Sequence, residues 1–206
     1  MDLILKYFPD LTQPQIKQFE NLLHILPLLN LKVNVISRKD IAQLEERHIL
    51  HSLAIAKKIE FHSGARVLDV GTGGGFPGIP LALMFPGATF TLVDSIGKKI
   101  NLVGEIVEQL EIKNVRLINE RMEQLDMKAD FVVSRAVTAF PKLVQWTRRL
   151  ISPGHTQSMP NGLISLKGGD LEKELIPFKK DVEVYPISNW FEESFFSSKM
   201  IVYLKK

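Results

Sequence analysis

Residues 66–78 read RVLDVGTGGGFPG, and the fold turns on this stretch. Val67, Leu68 and Val70 form an apolar run of strand character that feeds into glycines at 71, 73, 74 and 75, then into a helix-compatible segment. Gly71, Gly73 and Gly75 give a G-x-G-x-G pattern, and an acid, Asp69, stands two residues ahead of the first glycine. A strand entering a turn free of Cβ atoms lets a ligand approach the backbone closely. The N–H groups of the turn and of the following helix start then face that ligand. Strand, glycine turn and helix together are how a Rossmann-like domain holds a nucleotide. A glycine turn that serves only the chain's own folding is the plain alternative.

A second strand-like run, residues 89–93 (TFTLV), ends in Asp94, where an acid that reads ribose hydroxyls belongs. Such an acid serves dinucleotide enzymes and methyltransferases alike. A pyrophosphate site more usually reads G-x-G-x-x-G, whereas the offset of Asp69 resembles motif I of S-adenosylmethionine (SAM) methyltransferases. From residue 64 onward, strands near 66–70, 89–93, 115–118, 130–136, 163–167, 182–187 and 199–204 alternate with helices near 78–85, 96–111, 140–150 and 170–180. A short turn occupies 121–124, and a glycine- and proline-rich loop occupies 152–162. The alternation predicts an α/β fold with a mainly parallel seven-stranded sheet, right-handed crossovers and helices on both faces.

Upstream, residues 1–63 read as a helical cap integral to the domain, with 64–206 as the nucleotide-binding core of one structural domain. Thr12-x-x-Gln15 is a capping box, and Pro14 is tolerated in the first turn. Ile16, Phe19, Leu22, Leu23 and Leu26 then recur at helical spacing, and Pro27 is expected to end or kink that helix. A second helix is expected to open at Asp40, with Ile41, Leu44, His48 and Ile49 on one face. Arg47, His48 and His51 on it are candidates for contact with a substrate or cofactor carboxylate; hydrogen-bonded structural residues are the bland reading. His48 and His51 are three apart with no third ligand in view, so no metal site is expected.

Composition narrows the function. With 206 residues, 45% hydrophobic and 24% charged, the chain suits a globular domain of ordinary size. A net charge of +3 permits a nucleic-acid partner without demanding one, so any basic surface must be local. The absence of cysteine removes disulfides, Cys-ligated zinc, a radical-SAM cluster and pyrimidine methylation through a Cys nucleophile. MDLILKYFPD at the start lacks the charged and apolar regions of a signal peptide, and no apolar run reaches membrane-spanning length, so a cytoplasmic protein is expected.

The segments VGTGGGFPGIPLAL, LVDSIGKK, RMEQL, VVSRAV and LKGGDL, with VISRKD and RHILHSL upstream, resemble the bacterial glucose-inhibited division protein B family. The resemblance runs from about residue 14 to the end, and GFPGIPLAL with SRA carries most of its specificity. Where a tryptophan commonly precedes the asparagine of the N-terminal segment, this chain has Leu29-Asn30. The resemblance implies a class I methyltransferase fold and SAM-dependent methylation at N7 of a guanine in 16S ribosomal RNA, on the RNA or the small-subunit particle, by a monomer. It further implies SAM contacts from Gly71 and Phe76, adenine contacts near Met122 and Glu123, and a binding role for Arg135. Gly73 and Asp94 complete the expected cofactor set.

The chemistry agrees with that implication. Guanine N7 presents a lone pair with no proton to lose, so catalysis needs alignment rather than a general base. The fourth strand carries Ser134-Arg135-Ala136-Val137 instead of the N/D-P-P-Y/F tetrad of exocyclic-amine methylation. Arg135 is a candidate for the SAM carboxylate, a substrate phosphate or a structural salt bridge. Arg47, His48 and Lys167 are candidates for substrate positioning, and Arg38, Lys39, Arg47, Arg148, Arg149 and Lys167 for RNA phosphates. A nicotinamide oxidoreductase fits poorly, because none of Tyr7, Tyr185 and Tyr203 has a lysine four residues on. A small-molecule methyltransferase and a non-catalytic SAM- or RNA-binding module remain as alternatives.

Overall fold

The computed structural model describes residues 1–155 and 158–206; the side chain of Arg38, and with it the reading of Arg38 as an RNA contact, lies outside the described residues. The cap opens with α1 (Asp2–Tyr7) and α2 (Gln13–Val33). The Thr12–Gln15 capping box forms as expected. Pro27 does not end α2, which runs six residues further to a left-handed Asn34 (φ 54°) whose amide bonds the Asn30 carbonyl at 2.8 Å. Burial of Leu26, Leu29 and Asn30 against the core outweighs the hydrogen bond that proline forfeits, a cost of about 3 kcal/mol. The Asn30 side chain then brackets Ile36, donating to its carbonyl (2.8 Å) and accepting from its amide (2.9 Å).

The next helix opens earlier than Asp40. Ser37 caps α3 (Arg38–Ile41) by accepting from the Asp40 amide at 3.1 Å. The chain turns and resumes as a π-helical stretch, Glu45–Leu50, running into α4 (His51–Leu53) and a 3-10 turn, Ala54–Lys57. Then follow β1 (Arg66–Val70), α5 (Gly78–Met84), β2 (Thr89–Asp94), α6 (Gly97–Gln109), β3 (Val115–Asn119), β4 (Phe131–Arg135), α7 (Phe140–Thr147) and β5 (Gly162–Gly168). The helix expected over 170–180 is reduced to α8 (Glu172–Leu175) and a 3-10 turn at Pro177, where the missing N–H favours a break. The strands β6 (Val182–Pro186) and β7 (Lys199–Lys205) close the chain.

The seven strands lie in the order β3-β2-β1-β4-β5-β7-β6, parallel except for β7, which runs antiparallel to both its neighbours. Sequence order reverses between β1 and β4, where Val67 pairs with Phe90 on one side and Phe131 on the other. In an open parallel sheet such a switch point leaves a crevice beyond the strands' carboxyl ends. Two apolar layers cover the sheet. Phe19, Leu22 and Leu26 of α2 share one cluster with Leu53, Ile79, Phe90 and Phe131; Leu68, Val132, Phe140 and Leu143 build the other. Burial on both faces explains why the central strands read as continuous apolar runs. Among the described residues, no helix is long and apolar enough to cross a membrane.

Candidate active site

The glycine turn follows β1 at the switch point. Gly71 has φ +69°, and a Cβ there would lie 2.5 Å from a methyl of Val137, so both backbone and space demand glycine. The fully buried Asp69 ties the turn to the next helix: its Oδ2 accepts from the Thr72 hydroxyl (2.7 Å) and the Gly78 amide (2.8 Å). Burial pushes its carboxyl up to about 7, against the pull of those two hydrogen bonds. Asp69 lines neither cleft described below; the motif's first acid braces the turn.

A cleft of about 330 Å³ opens at the carboxyl ends of the first four strands. Asp94, 7% exposed, forms its floor at the end of β2. One carboxylate oxygen accepts from the Gly73 amide (3.0 Å), the other from the Ile96 amide (2.9 Å), and the Lys99 ammonium stands 3.8 Å away. Asp94 therefore holds the turn and the entry to α6, and each oxygen retains lone-pair capacity toward the cleft. Met122 and Glu123, on a 3-10 turn after β3, form one wall; Val137 and Trp146 stand among the other lining residues. An acid suited to vicinal hydroxyls and an apolar surface suited to a purine are the parts an adenosine group requires.

A second cleft, of about 430 Å³, meets the first at Ala136. Ala136 lines both and has a left-handed φ of +54°, a strained setting for a residue other than glycine. Arg47, His48 and His51 reach the second cleft from the cap, Arg135 from β4, Lys167 from β5, and Phe195 and Lys199 from the β6–β7 connection and β7. Arg135 donates to the Arg47 carbonyl (3.2 Å) and to Nδ1 of His48 (2.9 Å), and its guanidinium lies 4.8 Å from the Phe76 ring centroid. Among the described residues no carboxylate lies within ion-pair distance of Arg135 or Lys199. Burial pushes the Arg135 guanidinium down to about 10, still charged at neutral pH. Because His48 accepts at Nδ1, its proton sits on Nε2. Burial first, then the Arg135 charge, pushes His48 down to about 3 and His51 well below its ordinary value, so both rings are neutral.

Asp40 is the one carboxylate among the described lining residues of this cleft. It is committed to Arg47 Nη1 (2.9 Å) and to the Ser37 hydroxyl (2.7 Å), and those two bonds hold it below the usual carboxylate range. Nε of Arg47 and Nε2 of His51 are buried and have no hydrogen-bond partner among the described residues. The second cleft is thus rich in cations and short of anions.

The structure gathers Asp94, Met122, Glu123 and Gly71 around the first cleft, and Arg47, His48, Lys167 and Arg135 around the second. Gly73 lies just behind Asp94, and the Phe76 ring packs against both His48 and Arg135 without lining either cleft. The Lys167 ammonium, read from sequence as an RNA contact, is turned inward to the Thr138 carbonyl (2.7 Å) and Glu174 (3.1 Å). Arg148 and Arg149 line neither cleft; Arg149 instead donates to the carbonyls of Leu125 (2.6 Å) and Glu123 (2.8 Å). Trp146, Phe195 and Lys199 were not singled out by the sequence reading. Nothing local marks them; only the pairing of Lys199 with Gly168 across β5 and β7 brings it to the site. No group of three or more potential metal ligands occurs among the described residues.

Comparison with known proteins places these features in context. A family model described as rRNA small subunit methyltransferase G matches residues 15–196. The chain is 52% identical to ribosomal RNA small subunit methyltransferase G of Bacteroides thetaiotaomicron, over 98% of this chain and 98% of that protein. It is 51% identical to the protein of the same name from Flavobacterium johnsoniae, over 99% of this chain and 97% of the relative. Among solved structures, magnesium protoporphyrin IX methyltransferase from Synechocystis PCC 6803 with bound SAM has a TM-score of 0.58 at 18% identity, covering 83% of this chain and 85% of that one. Precorrin-6y C5,15-methyltransferase from Geobacter metallireducens has a TM-score of 0.57 at 13% identity, covering 84% and 91%. At such identities these two likenesses concern the fold alone.

Proposed function

The chain belongs to the rRNA small subunit methyltransferase G family, and on that premise we propose that it transfers the methyl group of SAM to N7 of a guanine in 16S ribosomal RNA. It does so as a cytoplasmic monomer, on the RNA or on the small-subunit particle. Bound SAM supplies an electrophilic methyl group on a sulfonium. Asp94 receives the ribose hydroxyls, Met122 and its neighbours flank the purine, and the glycine turn brings backbone N–H groups close. Arg135, charged and without a carboxylate partner among the described residues, anchors the cofactor's carboxylate at the boundary between the two clefts.

The observation that carries this reading is how the polar groups of the second cleft are already bonded, Nδ1 of His48 by Arg135 among them. Its carboxylate is spent on Arg47 and Ser37, and its two histidines are neutral and poor bases. Such a cleft orients an acceptor but does not take a proton from it, which suits N7 and not an amine or hydroxyl. The residues' contribution is alignment of N7, methyl and sulfur, together with exclusion of water. Arg47 and Lys199 at the cleft supply the charge that seats phosphates.

The test is labelled methyl transfer to small-subunit RNA from cells whose gene for this protein is deleted, compared with RNA from the parent cells. The deletion RNA accepts label at one guanine, and borohydride–aniline treatment cleaves the chain there, as N7 alkylation allows. The parent RNA accepts none. Equal acceptance by both, or efficient transfer to a free metabolite, contradicts the proposal.

A further inference from the structure

The segment between β4 and α7, residues 136–139, is the partition between the two clefts. It begins at the strained Ala136, which lines both, and continues to Val137, whose methyl group packs against Gly71. A shift of this segment moves the cofactor wall and the acceptor wall together. Its first end is fixed by β4 and by the cage around Arg135. Its second end is fixed by Lys167 of β5 and by Glu174 of α8.

Lys167 is nearly buried, with its side chain 11% exposed, and donates to the Thr138 carbonyl (2.7 Å) and to Oε2 of Glu174 (3.1 Å). The same oxygen of Glu174 accepts from the Phe140 amide at 2.7 Å. That amide belongs to the first turn of α7, one of the donors a helix cannot satisfy itself. Glu174 and Lys167 thereby grip the partition on both sides of Ala139, at a carbonyl and at an amide. The bond from Phe140 and the Lys167 charge keep the Glu174 carboxyl below its ordinary range, so the grip persists at neutral pH. Glu174 lines neither cleft.

We propose that Glu174 is a positioning residue for methyl transfer, acting through Lys167 and the Phe140 amide to hold Ala136–Ala139 in the strained shape that aligns the two clefts. The proposal rests on the reading of the chain as an rRNA methyltransferase and extends it to a residue remote from both ligands. A left-handed alanine relaxes unless its surroundings fix it. Without the grip the partition samples other conformations, and the acceptor meets the methyl group in only a fraction of encounters. Transfer is then slowed after both ligands are bound, not by loss of either.

A helix cap with a purely structural role predicts something different, namely lower stability with an unchanged rate per folded molecule. Glu174→Gln separates the two. The amide oxygen still accepts from the Phe140 amide, while the ion pair with Lys167 is lost. The expected results are a melting temperature within a few degrees of the parent, an SAM dissociation constant within about twofold, and a tenfold or greater fall in single-turnover rate at saturating SAM and RNA. In Glu174→Ala, which releases the Phe140 amide as well, exchange of that amide should quicken at least tenfold while the sheet is unaffected. Glu174→Asp, which keeps the charge, should recover part of the rate.

Unchanged exchange of the Phe140 amide in folded Glu174→Ala overturns the proposal whatever the parent's activity. So does faster exchange with a parental single-turnover rate, or a rate loss fully explained by weaker SAM binding. A parent protein that transfers no methyl group to deletion-strain RNA overturns the functional reading itself and takes this proposal with it.

Discussion

The cofactor cleft and the acceptor cleft share Ala136 as a common wall but differ in how their polar groups are satisfied. On the cofactor side Asp94 accepts two backbone amides, and the Asp69 carboxylate behind it braces the turn through one oxygen. On the acceptor side, among the described residues, Arg135 and Lys199 lack carboxylate partners, and Nε of Arg47 and Nε2 of His51 lack any hydrogen-bond partner. A site whose main acid is already hydrogen-bonded to the backbone is preorganised for a small ligand of fixed shape. A site with surplus positive charge is complete only when an anion arrives, as a polynucleotide backbone provides. The contrast teaches which ligand each half awaits.

The harshest way to break the contrast is to remove Arg135, which stands where the halves meet. Arg135→Met should lower kcat/KM by about a thousandfold, roughly 4 kcal/mol of transition-state stabilisation, through loss of charge-assisted hydrogen bonds to an anion. Steady-state kinetics on deletion-strain RNA checks this. Calorimetry sharpens it: the SAM complex of the variant should be weaker, and an unchanged one contradicts the placing of Arg135 on the cofactor's carboxylate.

Asp94→Ala tests the cofactor half alone. It should weaken SAM binding by about 1.5–3 kcal/mol while RNA affinity holds. If both ligands bind as before, the acid serves only to hold Gly73 and Ile96.

The two halves also respond to pH in opposite senses. Asp69 keeps its proton to higher pH when folded than when unfolded, so between about pH 4 and 7 the folded state binds more protons and this group's contribution falls as pH rises. His48 and His51 refuse protons that the unfolded chain accepts, so their contribution is whole above the ordinary histidine value and is lost as pH falls from about 6.5 toward 3. Asp69→Asn should therefore make stability rise more steeply with pH between about 5 and 6.5, by up to about tenfold in the folding constant per pH unit. His48→Gln should flatten the same slope by a similar amount. Urea titrations at a series of pH values read both.

The halves differ equally in how much of them the sequence displayed. The cofactor half is built from contiguous motifs. Asp69 to Gly78 makes the turn, Asp94 ends a strand, and Met122-Glu123 follows the next strand, so local pattern sufficed to find them. Sequence pattern located all seven strands, and the four central ones, β1, β2, β4 and β5, stood out as long apolar runs because both their faces are buried. The acceptor half is assembled from residues 40 to 199, and only the pairing of β5 with β7 and the docking of the cap bring them together. Lys199 and Phe195 carry no local signal. Lys167 carried one, but its ammonium turns inward to Thr138 and Glu174, a direction that spacing cannot show. The helix boundaries near Pro27 and Ser37 were missed for a related reason: tertiary burial overrode a breaker, and a serine capped where an acid three residues on looked suitable.

Salt dependence of binding measures the difference between the halves most directly. Dissociation constants for SAM and for small-subunit RNA are determined across a series of salt concentrations, for the parent and for Arg47→Glu with Lys199→Glu. The account predicts that RNA affinity of the parent falls steeply with the logarithm of salt concentration, and that the double variant loses roughly 0.7–0.9 from that slope for each phosphate contact removed. SAM affinity should change little in either protein. An RNA slope that the double variant leaves intact, or SAM affinity that collapses together with RNA affinity, contradicts the assignment of the cationic cleft to the nucleic acid.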